Sequence, residues 1–455
     1  MNRRLFVCIF ALLLVLLSAC GTSAHETETE PTPTPPEELQ LGSLTISSDA
    51  RRVDLTDSGA TLEELFSLSD RLSGLEEIEL GLTDADMAQI SAVEQAYPAA
   101  AVHWRVAVPG GEIDSDSESV DFSAAADGDA AQLVRALGVL PRVKTVLLAA
   151  EGETTALSFE TLGELAAAAP EAELDCRFEL FGQTADWTTE KLKYYKTEIG
   201  DEGIDEFRRA LPYLRALKLL RLEDCGITDH DAMAALRDDF PQTNVVWNVY
   251  IAGYSFMTDT TLINAAILLN DKNAEMLKYF HDVLYLDIGH NHTLTNIEFV
   301  RNFPKLQVVI LTLTNITDIT PLEDCPDIEF LEMVSTPIYS IDVVAGMEKL
   351  EYLNLGCMWN LSDISPAYGL KSLKNVRICG TTFTHVKWEQ VDELEASLPD
   401  CFVSTYGGDP TKSGNWRFND DGSYTERYAL LREQMRYDLV NWKLMLSNSP
   451  SGEED

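Results

Sequence analysis

The sequence predicts an α/β solenoid whose parallel strands line a concave face and whose C-terminus forms a helical cap. Three observations predict it: an apolar repeat of 22 to 23 residues in the second half, a module of about 70 residues in the first half, and an amphipathic stripe near the C-terminus. Repeats of this length are typical of stacked units, each of which buries its apolar face only against its neighbours.

The short repeat is a strand pattern that recurs five times. Its copies start at Val283, Leu306, Ile328, Leu350 and Leu373, with spacings of 23, 22, 22 and 23 residues. Apolar residues occupy the first, fourth and sixth positions of every copy, so these positions are predicted to face the core. A unit of this length leaves roughly ten residues for the return segment, which suits extended or 3₁₀ structure but not a full helix.

This pattern resembles the leucine-rich-repeat family, and the stretch NITDITPL from Asn315 to Leu322 looks like the short repeat type of internalins. The resemblance covers about residues 281–405 and implies an adhesion or envelope-interaction role like that of surface leucine-rich-repeat proteins. The sequence departs from the family at its Asn position. Asn291 is kept, but the other units have Thr314, Thr336, Met358 and Thr381. The loops are therefore expected to be less regularly hydrogen-bonded.

The first half repeats a longer module of strand, helix and second strand. Pro98, Pro170 and Pro241 are 72 and 71 residues apart, and each lies between the helix and the second strand of its module. In the third copy, Thr228 and Asp229 are predicted to cap a helix over residues 231–240. Residues 262–280 suggest a further helix between the two halves.

The N-terminus has the organisation of a secretory signal. Arg3 and Arg4 precede an apolar stretch over residues 5–17, which is too short to span a membrane as a helix. The following Leu-Ser-Ala-Cys resembles the lipobox of bacterial lipoproteins. The resemblance implies cleavage before Cys20, a lipid on its sulfur, and a location at the extracytoplasmic face of a bacterial cell membrane.

The predicted organisation has five parts. These are a lipoprotein signal peptide over 1–19, a lipidated cysteine with a disordered Pro/Thr/Glu linker over 20–41, degenerate long repeats over 42–280, leucine-rich repeats over 281–405, and a cap helix with an acidic tail over 406–455. The linker contains too little apolar surface to fold.

The cap helix is predicted from one apolar stripe at helical spacing. Its residues are Tyr424, Tyr428, Leu431, Met435, Leu439, Trp442 and Leu446. Open solenoid ends need an amphipathic cover, which favours a terminal cap. A helix folded over the concave face and a helix on a membrane surface are the alternatives.

The charge of the chain limits its partners. The formal net charge is −41, and without Arg3 and Arg4 the remaining 32 basic and 75 acidic residues give −43. Such a charge argues against binding to nucleic acid or to anionic lipid. Contact with a membrane is therefore expected only through the N-terminal lipid.

The concave face is the predicted ligand-binding surface, because alternate strand residues point away from the core. Aromatic and apolar residues with a polar rim are expected there, a composition typical of recognition surfaces. The predicted contact residues are Tyr285, Asp287, Val308, Ile310, Phe330, Glu332, Tyr352, Asn354 and Arg377. We expect them to bind a protein, a peptide or a cell-wall glycan. The alternatives are cross-strand stacking that only stabilises the sheet, and a covering terminal helix.

The sequence contains no recognisable catalytic motif, and no cofactor, metal site or enzymatic activity is predicted. One alternative is a metal-dependent envelope hydrolase that uses His290, His292 and Asp287, and another is a passive envelope scaffold. The acidic stretch over residues 114–118 lacks the glycine and spacing of an EF-hand loop. The six cysteines beyond Cys20 form no CxxC pair, and their disulfide state is left open.

Overall fold

The computed structural model describes residues 36–379, 384–405, 407–412 and 414–438. The predicted signal peptide and Cys20 lie outside the described residues, as do Leu439, Trp442 and Leu446 of the terminal stripe. The chain divides into two compact units. The first contains the described residues up to Ala107 together with Glu112–Asp116, and the second contains Val108–Gly111 and the described residues from Ser117 onward.

The first unit contains the first copy of the long module. Its strands are β1 Glu38–Leu41, β2 Leu44–Ser47, β3 Arg52–Asp54, β4 Glu77–Leu82 and β5 Ala101–Val108, with β6 at Gly111–Asp114, and its helices are α1 Leu62–Ser67 and α2 Met87–Ala96. The β3, β4 and β5 strands pair in parallel, and β1 forms an antiparallel hairpin with β2. The disordered linker predicted over 20–41 is therefore wrong for residues 38–41, which form β1 and bury Leu39 and Leu41. Both helices begin at capping boxes, at Thr61 and at Asp86.

The second and third copies of the long module open the second unit. Their strands are β7 Ser119–Asp121, β8 Thr145–Leu147, β9 Glu173–Asp175, β10 Arg177–Leu180, β11 Gln183–Asp186, β12 Lys191–Tyr195, β13 Leu219–Glu223, β14 Asn244–Ile251 and β15 Tyr254–Met257. Their helices are α3 Ala130–Gly138, α4 Phe159–Ala168, α5 Glu202–Ala210 and α6 His230–Asp239. The predicted helix in the third copy is confirmed as α6, because the Asp229 side chain caps it by accepting from the Ala232 N–H.

The short repeats form a parallel sheet of seven strands in chain order. The strands are β16 Leu262–Asn264, β17 Tyr285–Asp287, β18 Val308–Ile310, β19 Phe330–Glu332, β20 Tyr352–Asn354, β21 Asn375–Arg377 and β22 Phe402–Ser404. Helices α7 Asp271–Ala274 and α8 Trp388–Ser397 flank return segments that are 3₁₀ turns, as their length predicts. Every predicted core residue of the five units is buried, with at most 4% exposure. The predicted solenoid of stacked parallel strands with a continuous apolar core is therefore confirmed.

The sheet begins one unit earlier than the sequence predicts. The helix expected over residues 262–280 is wrong for its first part, because Leu262–Asn264 form β16 in parallel register with β17. The core positions of this extra unit are Thr260, Ile263 and Ala265, of which only Ile263 is a large apolar residue. The weak apolar pattern concealed the strand, and helical structure starts only at Asp271.

The residue at the family's Asn position, which is Asn291 in one unit and Thr314 or Thr336 in the next two, explains why the loops differ between units. The buried Asn291 side chain donates to the Ala265 and Ile288 carbonyls and accepts from the Leu269 N–H, so it joins two units. Thr314 and Thr336 each donate only to a carbonyl three residues earlier in their own unit. The expected loss of regular loop hydrogen bonds is therefore confirmed for these two units.

The end of the described chain lies across the sheet. We call residues 407–412 and 414–438 the C-terminal strap; it contains helix α9 at Glu426–Gln434. Leu431 on this helix and Met435, which caps its C-terminus, pack with Val308, Ile310 and Phe330 of the sheet in one apolar cluster. The helix therefore lies over the concave strands, the alternative that the sequence left open, and a cap over the open end of the repeats stays a prediction.

Candidate ligand-binding surface

The predicted contact residues lie side by side on the strands β17 to β21, as their spacing requires. The pairs Tyr285–Val308, Val308–Phe330 and Phe330–Tyr352 are direct neighbours in register, and Asp287, Ile310, Glu332, Asn354 and Arg377 form the next column. The sequence predicted that these residues lie on one face of one sheet, and the structure confirms it.

Their predicted exposure is wrong. Val308, Ile310, Phe330, Glu332, Asn354 and Arg377 are at most 3% exposed, Asp287 is 7% exposed, and Tyr285 and Tyr352 are half-buried. The C-terminal strap covers them. Sequence spacing identified the face on which these side chains lie, but it contained no information on what packs against that face.

Aromatic stacking holds the middle of the C-terminal strap on the sheet. The Trp416 ring lies 5.1 Å from the Phe330 ring and 6.4 Å from the Tyr352 ring. The guanidinium of Arg427 lies 4.7 Å from the centre of the Phe330 ring and 5.5 Å from that of Tyr352. A desolvated cation above two aromatic faces is attracted by their quadrupoles. We call the rings of Phe330 and Tyr352 the aromatic strip. It thus binds a tryptophan and an arginine of its own chain.

The carboxylate of Glu332 is the polar centre of this contact. It accepts hydrogen bonds from the Thr312 hydroxyl and the Trp416 indole N–H, and Arg417 Nη2 lies 2.8 Å from its Oε1 atom. Its side chain is completely buried, whereas that of Arg417 is 24% exposed. A buried carboxylate without donors would carry a large desolvation cost, and the C-terminal strap adds the donors Trp416 and Arg417 to the one that Thr312 supplies.

A second carboxylate, Asp287, lies in the same column two strands away. It accepts from the Tyr437 hydroxyl at 2.6 Å and from the Gly289 N–H at 3.0 Å. Burial raises the pKa of Asp287 above its ordinary value, although both hydrogen bonds act in the opposite direction. Burial and the neighbouring Asp287 carboxylate raise the pKa of Tyr437 well above its ordinary value. The Tyr437 hydroxyl therefore keeps its proton and donates it in a hydrogen bond to the Asp287 carboxyl.

The entry of the C-terminal strap onto the sheet is fixed by backbone contacts. The Pro410 carbonyl accepts from Asn354 Nδ2 at 3.1 Å and from Arg377 Nε at 3.4 Å. Gly356 makes room for this approach, because a Cβ atom at that position would lie 2.7 Å from Pro410 Cβ. The Asn354 and Arg377 side chains, predicted to bind a ligand, therefore contact the C-terminal strap.

A cavity of about 950 Å³ remains between the C-terminal strap and the ends of strands β17 to β19. We call it the strap cavity. Asp287, Ile310 and Glu332 line it from the sheet, together with His290 and Leu313 from the loops that follow the strands. Its other wall consists of residues of the C-terminal strap, including Lys412, Arg417, Tyr428, Arg432 and Tyr437. It has the size of a small-molecule or short-peptide site and mixes charged with aromatic groups.

The loop residues at the mouth of the strap cavity share an unusual backbone conformation. Ile267, His290, Leu313 and Ser335 all have φ between 56° and 63°. They are equivalent residues of successive units, and the N–H of each donates to a carbonyl of the next unit. Left-handed non-glycine residues are uncommon, above all β-branched ones such as Ile267. The column of hydrogen bonds between units therefore holds these side chains at the cavity mouth.

The sequence analysis missed the residues that matter most in the C-terminal strap. Trp416, Arg417, Arg427 and Tyr437 contact the predicted face, but none of them belongs to the apolar stripe. No sequence signal pointed to them, because the need of Asp287 and Glu332 for donors follows from their burial, which only the structure shows.

The residues of the metal-dependent alternative, His290, His292 and Asp287, do not form a cluster that could hold a metal ion. Over the described ranges, no group of three or more His, Cys, Asp or Glu side chains could hold a metal ion. Both histidines are exposed, and His290 lines the strap cavity whereas His292 does not. Nor does any helix of the described chain have the length and apolar character needed to cross a membrane.

The chain was compared with known protein families, curated proteins and solved structures. No protein-family model and no curated protein matches the sequence. Solved structures do resemble the fold. Internalin C2 of Listeria monocytogenes is 19% identical, with 55% of this chain and 85% of the internalin covered and a TM-score of 0.27. The internalin inlF of the same organism is 15% identical, with 77% and 90% covered and a TM-score of 0.27.

A leucine-rich-repeat protein of Leptospira interrogans is 12% identical to the chain. The match covers 78% of this chain and 96% of that protein, with a TM-score of 0.24. At such TM-scores the likeness says nothing about ligand or activity. The solenoid of parallel strands is shown instead by the spacing and the parallel register of this chain's own strands.

Proposed function

We propose that the protein is a lipid-anchored recognition protein at the extracytoplasmic face of a bacterial cell membrane. In this proposal Cys20 carries the lipid, residues 21–35 belong to the spacer, and the leucine-rich repeats bind a protein or peptide ligand. No step of this function requires a cofactor or bond-breaking chemistry.

The strap cavity supports this function best. It is bounded by two parts of the chain that are far apart in sequence, and it contains charges of both signs and two tyrosines. The lining contains three basic side chains, Lys412, Arg417 and Arg432, although the net charge of the whole chain is −41. A peptide offers matching acidic and apolar groups, and tyrosine and arginine are frequent in recognition sites. We therefore place the ligand in the strap cavity, beside the C-terminal strap that already occupies the aromatic strip.

The test uses residues 36–455 and two matched variants. His290→Trp narrows the mouth of the strap cavity, whereas His292→Trp makes the same change two residues away, at an exposed side chain that does not line it. A ligand is first captured from envelope extracts and identified, and its dissociation constant is then measured with each purified variant. We expect at least tenfold weaker binding to His290→Trp and unchanged binding to His292→Trp.

Two outcomes would overturn the proposal. Equal affinity of the three proteins for the captured ligand would place the ligand outside the strap cavity. A ligand that survives complete proteolysis and is removed by glycan-cleaving enzymes would replace the peptide with a cell-wall glycan.

A further inference from the structure

Two cysteines of adjacent repeat units lie in contact at the edge of the concave face. Cys357 and Cys379 follow β20 and β21, and their sulfur atoms are 3.4 Å apart. The other contacts of the buried thiols are of a different kind, because Cys176, Cys225 and Cys325 each donate to a backbone carbonyl. Of the six cysteines that the structure describes, Cys357 and Cys379 thus form the pair whose sulfur atoms face each other.

The repeat architecture positions this pair. Cys357 has the same left-handed conformation as Ser335 and Leu313, its equivalents in the preceding units, with φ of 57°. Gly356 supplies the space beside it, since a Cβ atom at that position would lie 3.3 Å from the Cys379 sulfur. The contact therefore follows from the in-register pairing of β20 with β21 and from the absence of a side chain at Gly356, next to Cys357.

We propose that Cys357 and Cys379 form a disulfide that joins these two units. A disulfide bond is about 2.05 Å long, so the sulfur atoms have to approach each other by roughly 1.4 Å, which side-chain rotation and small backbone shifts provide. The part of the proposal that concerns the cell rests on the proposed extracytoplasmic location, because disulfides form and persist in oxidising compartments.

The oxidant is a disulfide, either a low-molecular-weight one or that of a thiol–disulfide oxidoreductase. The half-exposed Cys357 loses its proton and attacks the oxidant, which releases one thiol and leaves a mixed disulfide. The buried Cys379 then loses its proton and attacks the Cys357 sulfur of the mixed disulfide, which releases the second thiol. Two protons and two electrons leave the protein, and the oxidant is reduced to two thiols. Burial and the Cys379 neighbour raise the pKa of Cys357 to about 11, so the first step is slow at neutral pH.

The disulfide would stiffen the part of the sheet on which the C-terminal strap lies. Gly356, next to Cys357, is in contact with Pro410, and Arg377, two residues before Cys379, donates to the Pro410 carbonyl. A covalent link between the two units would reduce the local opening that separates them. Oxidation should therefore protect the strap from proteolysis.

The first test uses purified residues 36–455, folded and exposed to oxidised glutathione at pH 8.5. We expect four free thiols out of six, and a peptide pair linked through Cys357 and Cys379 in mass spectrometry under non-reducing conditions. Cys357→Ser and Cys379→Ser should each retain five free thiols, and Cys401→Ser should retain three. Six free thiols in the folded protein, or a link from either cysteine to Cys401, would overturn the proposed pair.

The second test separates this proposal from the proposed location. The thiols of the protein are blocked in intact cells before extraction, and the linked peptide is then sought. A linked peptide after glutathione treatment but not in cells would retain the geometry and contradict the location. Reduction should also lower the melting temperature of the oxidised wild type by several degrees and leave that of Cys357→Ser unchanged. Equal shifts in both proteins would contradict a stabilising link.

Discussion

Arg417 donates from Nη2 to Oε1 of Glu332 across 2.8 Å, and so joins the C-terminal strap to a strand 85 residues earlier in the chain. This ion pair is the polar counterpart of the stacking of Trp416 on Phe330. Together they turn the predicted binding face into an internal interface. In the proposed function the ligand therefore occupies the strap cavity, one wall of which the C-terminal strap supplies.

Removal of the Glu332 carboxylate should detach the strap. Glu332→Ala leaves the Arg417 cation and the Trp416 N–H without their shared partner, and breaking a buried ion pair costs about 3 kcal/mol. We expect faster cleavage within residues 407–438 in limited proteolysis and a lower free energy of unfolding. Glu332→Gln keeps an acceptor oxygen, so its free energy of unfolding should fall by less than that of Glu332→Ala. Cleavage of Glu332→Ala at the wild-type rate would contradict this role of the carboxylate.

A methyl group at Gly356 should weaken the entry of the strap. Its Cβ atom would lie 2.7 Å from Pro410 Cβ, closer than carbon atoms approach without a shift. Gly346→Ala is the matched control, because nothing lies within 4 Å of a Cβ atom at that position. We expect Gly356→Ala to lose about 1 to 3 kcal/mol of unfolding free energy and Gly346→Ala to change it little. If denaturant titrations gave equal losses of unfolding free energy for the two variants, Pro410 would be able to move aside without cost.

The buried carboxyl of Asp287 should make stability depend on pH. Because its pKa is raised in the folded state, the folded protein binds this proton more tightly than the unfolded chain, whose pKa is near 3.8. Its contribution is therefore fully present below that value and is lost as the pH rises through the folded pKa. Asp287→Asn removes this titration and retains an acceptor for Tyr437.

The measurement is the unfolding free energy of both proteins between pH 4 and pH 8. The unfolding free energy of the wild type should fall relative to that of Asp287→Asn as the pH rises. For one titrating group the slope is at most about 1.4 kcal/mol per pH unit. Parallel curves for the two proteins would show that Asp287 does not titrate differently in the folded and unfolded states.

The predicted lipid on Cys20 leads to a fractionation experiment. Cys20→Ser removes the sulfur that would carry the lipid, so the protein should lose incorporated radioactive palmitate and move from the membrane fraction to the soluble one. Two lipid chains bind a bilayer stably, whereas the acidic charge of the rest of the chain disfavours binding to anionic lipid. A matched Ser18→Ala variant should stay in the membrane fraction. Unchanged membrane association of Cys20→Ser would rule out lipid anchoring at this residue.

Local spacing determined much of the fold. Apolar residues such as Leu286, Val309 and Leu331 recur at a period that only stacked strands bury together, so the repeat and its core could be predicted from sequence. Asp229 likewise marked the start of α6 through its capping side chain. The extra strand at Ile263 escaped prediction, because Thr260 and Ala265 supply little of the apolar signal that neighbouring units show.

The sequence by itself determined which side chains share the concave face, because strand alternation is a local property. Only the tertiary structure decided what those side chains contact. Trp416 and Arg417 reach Phe330 and Glu332 across more than eighty residues of chain, and the free energy of that contact comes from burying groups whose proximity no periodicity encodes. The strap cavity exists for the same reason, since its two walls meet only after the chain has folded back on itself.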